Sequence, residues 1–130
     1  MQKLLDYATG IQHIGIPCEN LEETKAFYEG LGFRVKHEKK IHDGKQSVCF
    51  LEFQNLVLEC YEDVCAKKSG AIDHFAIDVK NIEECYKICI KQGYEVVSNG
   101  IEELPFYERG VKFFIILGVN KERVEFNEIV

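Results

Sequence analysis

The sequence holds no Cys-x-x-Cys pair, no apolar run of transmembrane length and no basic cluster larger than two residues. Each absence excludes something. Without Cys-x-x-Cys, the spacing rules for zinc ribbons and dithiol redox sites are not met. Without a long apolar run there is no spanning helix to assign, and residues 1–10 lack the apolar centre of a secretory signal. Lys39-Lys40 and Lys67-Lys68 are the only adjacent basic pairs, and the net charge is −6. That balance disfavours a phosphate backbone as partner and favours solubility. The expectation is a cytoplasmic protein that engages neither nucleic acid nor membrane.

Six cysteines are present, at 18, 49, 60, 65, 85 and 89, mostly inside apolar segments. Buried, reduced thiols fit this placement better than a disulfide framework. Cys85 and Cys89 share a helix face at i, i+4.

What is present is a repeat. Ile11-Gln12-His13-Ile14-Gly15-Ile16 matches Ile72-Asp73-His74-Phe75-Ala76-Ile77, and Asn20-Leu21-Glu22-Glu23 matches Asn81-Ile82-Glu83-Glu84. Gly32-Phe33-Arg34-Val35 matches Gly93-Tyr94-Glu95-Val96. The offset is 61 residues throughout, and 8 of the 25 positions from 11 to 35 are identical to their partners. A unit of some sixty residues buries only ~60% of its surface and is marginal alone. The 130 residues therefore read as one domain, 1–130, of two dependent modules spanning 11–64 and 71–130. Duplication places equivalent residues in equivalent places, so His13 and His74 are expected to face each other.

Each module reads as β-α-β-β-β. In the first, residues 11–17 form a strand and Asn20 caps a helix bearing Leu21, Phe27, Tyr28 and Leu31. Gly32 stops that helix, and Asp43-Gly44 marks a hairpin turn. Strands follow at Ser47–Phe53 and Leu56–Tyr61. In the second module, Ile72–Val79 is a strand, Asn81 caps the helix and Gly93 stops it. Tyr94–Val97 is a strand, 98–110 a long loop, and Val111–Leu117 and Arg123–Phe126 the last strands. Five residues more than in the first module fall in that long loop.

Alternation within the strands separates the faces. Leu56, Leu58 and Cys60 are expected to face the helix, which turns Glu59 away. Val124 and Phe126 face the helix, which turns Glu125 away. By the same argument His13 and His74 leave the helix side to Ile14, Ile16, Phe75 and Ile77. Two imidazoles and two carboxylates on equivalent concave faces point to one divalent metal held by His13, Glu59, His74 and Glu125. The mixed nitrogen and oxygen set suits Ni, Co, Mn, Fe or Zn.

The chain resembles the vicinal oxygen chelate superfamily, which includes glyoxalase I, methylmalonyl-CoA epimerase, fosfomycin-resistance transferases, extradiol dioxygenases and bleomycin-binding proteins. The residues that carry the resemblance are His13-Ile14-Gly15-Ile16, Ala26-Phe27-Tyr28-Glu29-Gly30-Leu31-Gly32-Phe33, Leu58-Glu59, Ile72-Asp73-His74-Phe75-Ala76 and Val124-Glu125-Phe126. The resemblance implies an α+β fold in which two tandem βαβββ modules form an open, cup-shaped mixed sheet. It places metal ligands on the first and last strands of each module, here His13, Glu59, His74 and Glu125. A carboxylate at the position of Glu59 is similar to glyoxalase I, whereas the epimerase has a glutamine there.

That likeness implies a lyase or isomerase of the lactoylglutathione lyase type. Its metal would stabilise an enediolate while a glutamate shuttles the proton. Glu125 is the expected base, and Glu59 is the other catalytic carboxylate. Phe106 and Tyr107 on the long loop are candidates to cover a small α-hydroxycarbonyl or thioester substrate. Pro17 stands where bacterial glyoxalase I has a glutathione-contacting arginine, and Cys60-Tyr61-Glu62-Asp63 forms an acidic rim unsuited to that dianionic thiol. The alternatives are an epimerase-like isomerase, a fosfomycin-type transferase, an extradiol dioxygenase and a metal-free small-molecule binding protein. A homodimer is expected, with Leu4, Leu5 and Tyr7 as candidates to pack on the partner.

Overall fold

The computed structural model describes residues 3–130, apart from the side chain of Leu4. The chain divides into two compact units, Met1–Val64 and Cys65–Val130. A short 3-10 turn, Leu4–Tyr7, leads in, with the Leu5 and Tyr7 side chains exposed.

The first unit comprises β1 (Ile14–Cys18), α1 (Leu21–Leu31), β2 (Arg34–Ile41), β3 (Gln46–Phe53) and β4 (Leu56–Glu62). Its sheet has the order β1-β4-β3-β2, with β1 parallel to β4 and the remaining pairs antiparallel. The parallel pair needs a crossover, which α1 begins. The Asn20 side chain accepts the Glu23 amide at 3.0 Å to cap α1, and Gly32 closes it in the left-handed region at φ 114°. Leu21, Thr24 and Tyr28, one helical face at i, i+3 and i+7, are buried, while Phe27 and Leu31 are half-buried. They pack on a sheet face that contributes Leu51, Leu58 and Cys60.

Strand β1 begins three residues later than the apolar pattern suggests, because Ile11 stands 77% exposed outside the ladder. Its second-last residue is Pro17. The Cys18 carbonyl accepts the Asp63 amide in the ladder with β4, so the position of the missing Pro17 N–H faces the open edge. Proline on an edge strand, facing outward, removes no ladder bond.

The second unit comprises β5 (His74–Asp78), α2 (Ile82–Gln92), β6 (Glu95–Val96), β7 (Glu102–Leu104), β8 (Val111–Leu117) and β9 (Arg123–Ile129). The order is β5-β9-β8-β6, with β5 parallel to β9 and β7 also on β8. The segment 98–110, expected as loop throughout, contains β7, which pairs Glu102, Glu103 and Leu104 with Phe113, Lys112 and Val111. The two glutamates hid it, because the pairing is supplied by β8 rather than by strand propensity. Gly110 completes this hairpin at φ 88°, where an added Cβ would lie 2.9 Å from the Leu104 carbonyl oxygen. A side chain is excluded there on both counts.

The core of the second unit is Ile82, Phe114, Ile116 and Val124, all fully buried. Phe114 stacks on Phe126 at 5.2 Å and takes Tyr86 edge-on at 5.2 Å. The Asn81 side chain accepts the Glu84 amide, and Glu128 reaches from β9 to accept the Ile82 amide at 2.8 Å. Helix α2 therefore has two of its free N–H groups satisfied by side chains.

All six cysteines are free thiols, and only Cys85 is not buried. Burial pushes the Cys49 and Cys89 thiols up to about 11. The thiolate is the reactive species. Native protein near neutral pH is expected to react with an aromatic disulfide first at Cys85, slowly because burial raises that thiol too, and at all six thiols rapidly once denatured. Rapid reaction of several thiols in the native state would contradict the burial described.

Candidate metal centre

His13 immediately precedes β1, and Glu59 lies in β4. Their side chains meet, with His13 Nε2 3.5 Å from Glu59 Oε1. The second unit repeats this pairing. His74 opens β5, Glu125 lies in β9, and His74 Nε2 is 3.2 Å from Glu125 Oε1. The registers agree as well: Gly15 pairs with Glu59 and its repeat counterpart Ala76 pairs with Glu125. The strand faces are those expected from alternation, with Leu58 and Cys60 buried on either side of half-exposed Glu59. Glu125 is the more enclosed carboxylate, its side chain 11% exposed against 31% for Glu59.

The residue before each histidine holds its other nitrogen. Gln12 Oε1 lies 3.0 Å from His13 Nδ1, and Asp73 Oδ2 lies 2.8 Å from His74 Nδ1. Either oxygen can accept an Nδ1–H, which leaves Nε2 as the nitrogen on the side of the carboxylate. The hydrogen bond to His74, with Arg123 nearby, holds the Asp73 carboxyl below the usual carboxylate range. Asn127 donates from Nδ2 to Glu125 Oε2 at 2.9 Å, fixing one oxygen of that carboxylate. None of these three holders stood out in the sequence. Gln12 and Asp73 occupy the same repeat position, and Asn127 lies two residues from Glu125 on one strand face, so the signal was there.

An imidazole held through Nδ1 by an acceptor, with Nε2 left to face a metal, is the arrangement metal-binding histidines have. Each pair thus fits half of a divalent-metal site in donor type and orientation. Among the described residues, neither unit alone gathers three His, Cys, Asp or Glu side chains around one point.

Beside the second pair, a cavity of about 280 Å³ is lined by Ala76, Asp78, Phe106, Tyr107, Asn127 and Ile129, with Val111. Ala76 and Asp78 continue the strand face of His74, and Asn127 and Ile129 continue that of Glu125. Phe106 and Tyr107 are exposed and lie over this face. Among the described residues, no helix is long and apolar enough to cross a membrane.

Comparison with known proteins agrees with this architecture. No curated protein sequence matches the chain. A glyoxalase family protein from Enterococcus faecalis is 26% identical, with a TM-score of 0.78 over 94% of this chain and 99% of that one. The fosfomycin resistance protein FosX of Listeria monocytogenes, solved with Mn(II) and sulfate, is 13% identical, with a TM-score of 0.74 over 94% and 93% of the two chains. A glyoxalase family protein from Bacillus cereus is 14% identical, with a TM-score of 0.74 over 98% of both chains. The family model for the glyoxalase/bleomycin resistance protein/dioxygenase superfamily matches residues 12–113. With that match spanning most of both units, and with the duplicated βαβββ architecture, the chain belongs to the glyoxalase/bleomycin resistance protein/dioxygenase superfamily, also called vicinal oxygen chelate.

Proposed function

We propose that this protein is a metal-dependent lyase or isomerase of the glyoxalase type, acting on a small α-hydroxycarbonyl or thioester substrate. The observation that carries the reading is the duplicated His–Glu pair, His13 with Glu59 and His74 with Glu125. The four side chains would hold one divalent ion, the two pairs coming from one chain or from two copies. That ion, when bound, supplies a Lewis acid for a substrate oxygen next to the reacting carbon.

The chain's own residues do the rest. His13 and His74 present Nε2, and their orientation is set by Gln12 and Asp73. Glu125 has Oε2 occupied by the Asn127 amide and Oε1 toward His74. Its carboxylate takes the proton from the carbon beside the carbonyl, and the C–H electron pair moves into that carbonyl. The same carboxylate returns the proton to the former carbonyl carbon while the hydroxyl proton passes to the former carbonyl oxygen, which completes an isomerisation without net loss of atoms. Phe106 and Tyr107 line the cavity beside that face, and their exposure leaves the carboxylate able to exchange its proton with solvent before returning it.

The test is turnover of α-hydroxycarbonyl substrates in D2O. Solvent deuterium at the carbon that receives the proton supports the shuttle, and oxygen consumption without exchange would replace it with oxygenase chemistry. The chain is further expected to act as a homodimer, with exposed Leu5 and Tyr7 at the partner. Mixing inactive Glu59→Gln and Glu125→Gln proteins separates the two closures. Recovered activity means that each site takes carboxylates from two chains, and a monomer with full activity removes the dimer.

A further inference from the structure

Strand β2 carries a register shift between Val35 and His37. Before it, Val35 pairs with Leu51, which is fully buried on the helix side of the sheet. After it, His37 pairs with Phe50, and Phe50 pairs with Glu59. Regular alternation would have placed His37 on the same side as Val35. One extra residue, Lys36, reverses the facing, so that His37 joins the face of Glu59. Bulges of this kind re-aim side chains beside active sites.

The re-aimed residues line a cavity of about 380 Å³ with Gln12, His13, Phe50 and Val57. The Phe50 ring lies between two imidazoles, 5.8 Å from His13 and 6.1 Å from His37. His13 is therefore a wall shared by this cavity and the His13–Glu59 pair. Lys36 is the lining residue that carries a full charge. Glu52 is met by Arg34 at 3.0 Å and by Lys36 at 3.8 Å, two cations on one carboxylate. Glu38, the next acid along β2, pairs with Lys25 of α1 across the other face. A recess lined by a lysine and two imidazoles, on a chain of charge −6, favours an anionic group.

We propose that this recess is a subsite for an anionic group of the substrate, a carboxylate or a phosphoryl-type group. Lys36 supplies the charge and His37 a directional N–H donor, beside the His13 end of the centre. This deepens the function proposed above, because the anion would belong to the molecule whose reacting oxygen lies near His13. The bulge is the device that builds it, and in a chain with unbroken alternation His37 would share the helix-side face with Val35.

The test uses the full chain without metal, isotope-labelled, titrated separately with inorganic phosphate, acetate and neutral acetamide. Saturable shifts at Lys36, His37 and His13 are expected with an anion and not with acetamide. Tighter binding of phosphate assigns a phosphoryl group, and tighter binding of acetate a carboxylate. Lys36→Gln and His37→Gln are each expected to weaken the anion by roughly tenfold, as for loss of one charge-assisted contact. Lys36→Arg is expected to keep it, and the amide spectrum reports that each variant is folded. Absence of saturable shifts with either anion, or unchanged affinity in both glutamine variants, overturns the subsite. Anion binding in a chain that takes up no metal would keep the subsite and remove the metal-dependent function. Metal uptake without anion binding would do the reverse.

Discussion

Glu125→Gln is expected to lower turnover by about 10²–10⁴-fold, the usual contribution of a general base. The amide has nearly the shape of the carboxylate, and Glu125 is 8% exposed, so the enclosing contacts stay in place. Its oxygen can still accept from Asn127 Nδ2, the bond that orients the group. What is lost is the ability to take a proton. Because Glu125 is also a proposed ligand, metal content must be measured beside kcat. A variant that is fully loaded and turns over at the wild-type rate would remove Glu125 from the role of base. Glu59, the more exposed of the two, is expected to show the smaller loss in kcat and the larger loss in metal content.

Divalent metal is expected to stabilise the protein strongly, and this can be read without knowing the substrate. An ion at a hundred times its dissociation constant adds about 2.7 kcal/mol if it binds only the folded chain. For a chain of this length that is a rise in Tm of about 10 °C. Chelation should reverse the rise and abolish turnover. His13→Ala and His74→Ala should each lose most of the shift while their metal-free Tm changes little, since both imidazoles are part-exposed. A shift that survives in both variants would place the metal elsewhere. No shift with any of Ni, Co, Mn, Fe or Zn would remove the metal from the proposed function.

The repeat and the strand faces were readable because burial marks them. In β4 the buried Leu58 and Cys60 bracket Glu59, and a period of two leaves Glu59 no other side. The helix ends were readable because Asn20, Gly32, Asn81 and Gly93 each have the local chemistry of a cap. Strand β2 is different. All eight of its residues are exposed, so no buried face records the register, and a bulge in it leaves no trace in the pattern. Strand β7 was invisible for a related reason, since Glu102-Glu103-Leu104 lacks the branched and aromatic residues that announce a strand. The holders of the two histidines, Gln12 and Asp73, differ in type, and only the geometry shows that they do one job.

Pro17 has a consequence for colloidal behaviour. An edge strand is a template on which a foreign chain can extend the sheet, and it does so through outward-facing amides. In β1 one such amide is missing, so a growing cross-β stack meets a gap near the end of the row. The repeat counterpart of Pro17 is Asp78 in β5, which keeps its N–H. There a negative charge stands at the edge instead. The two halves of one duplicated fold thus present different edges to a foreign strand, one short of an amide and the other bearing a carboxylate.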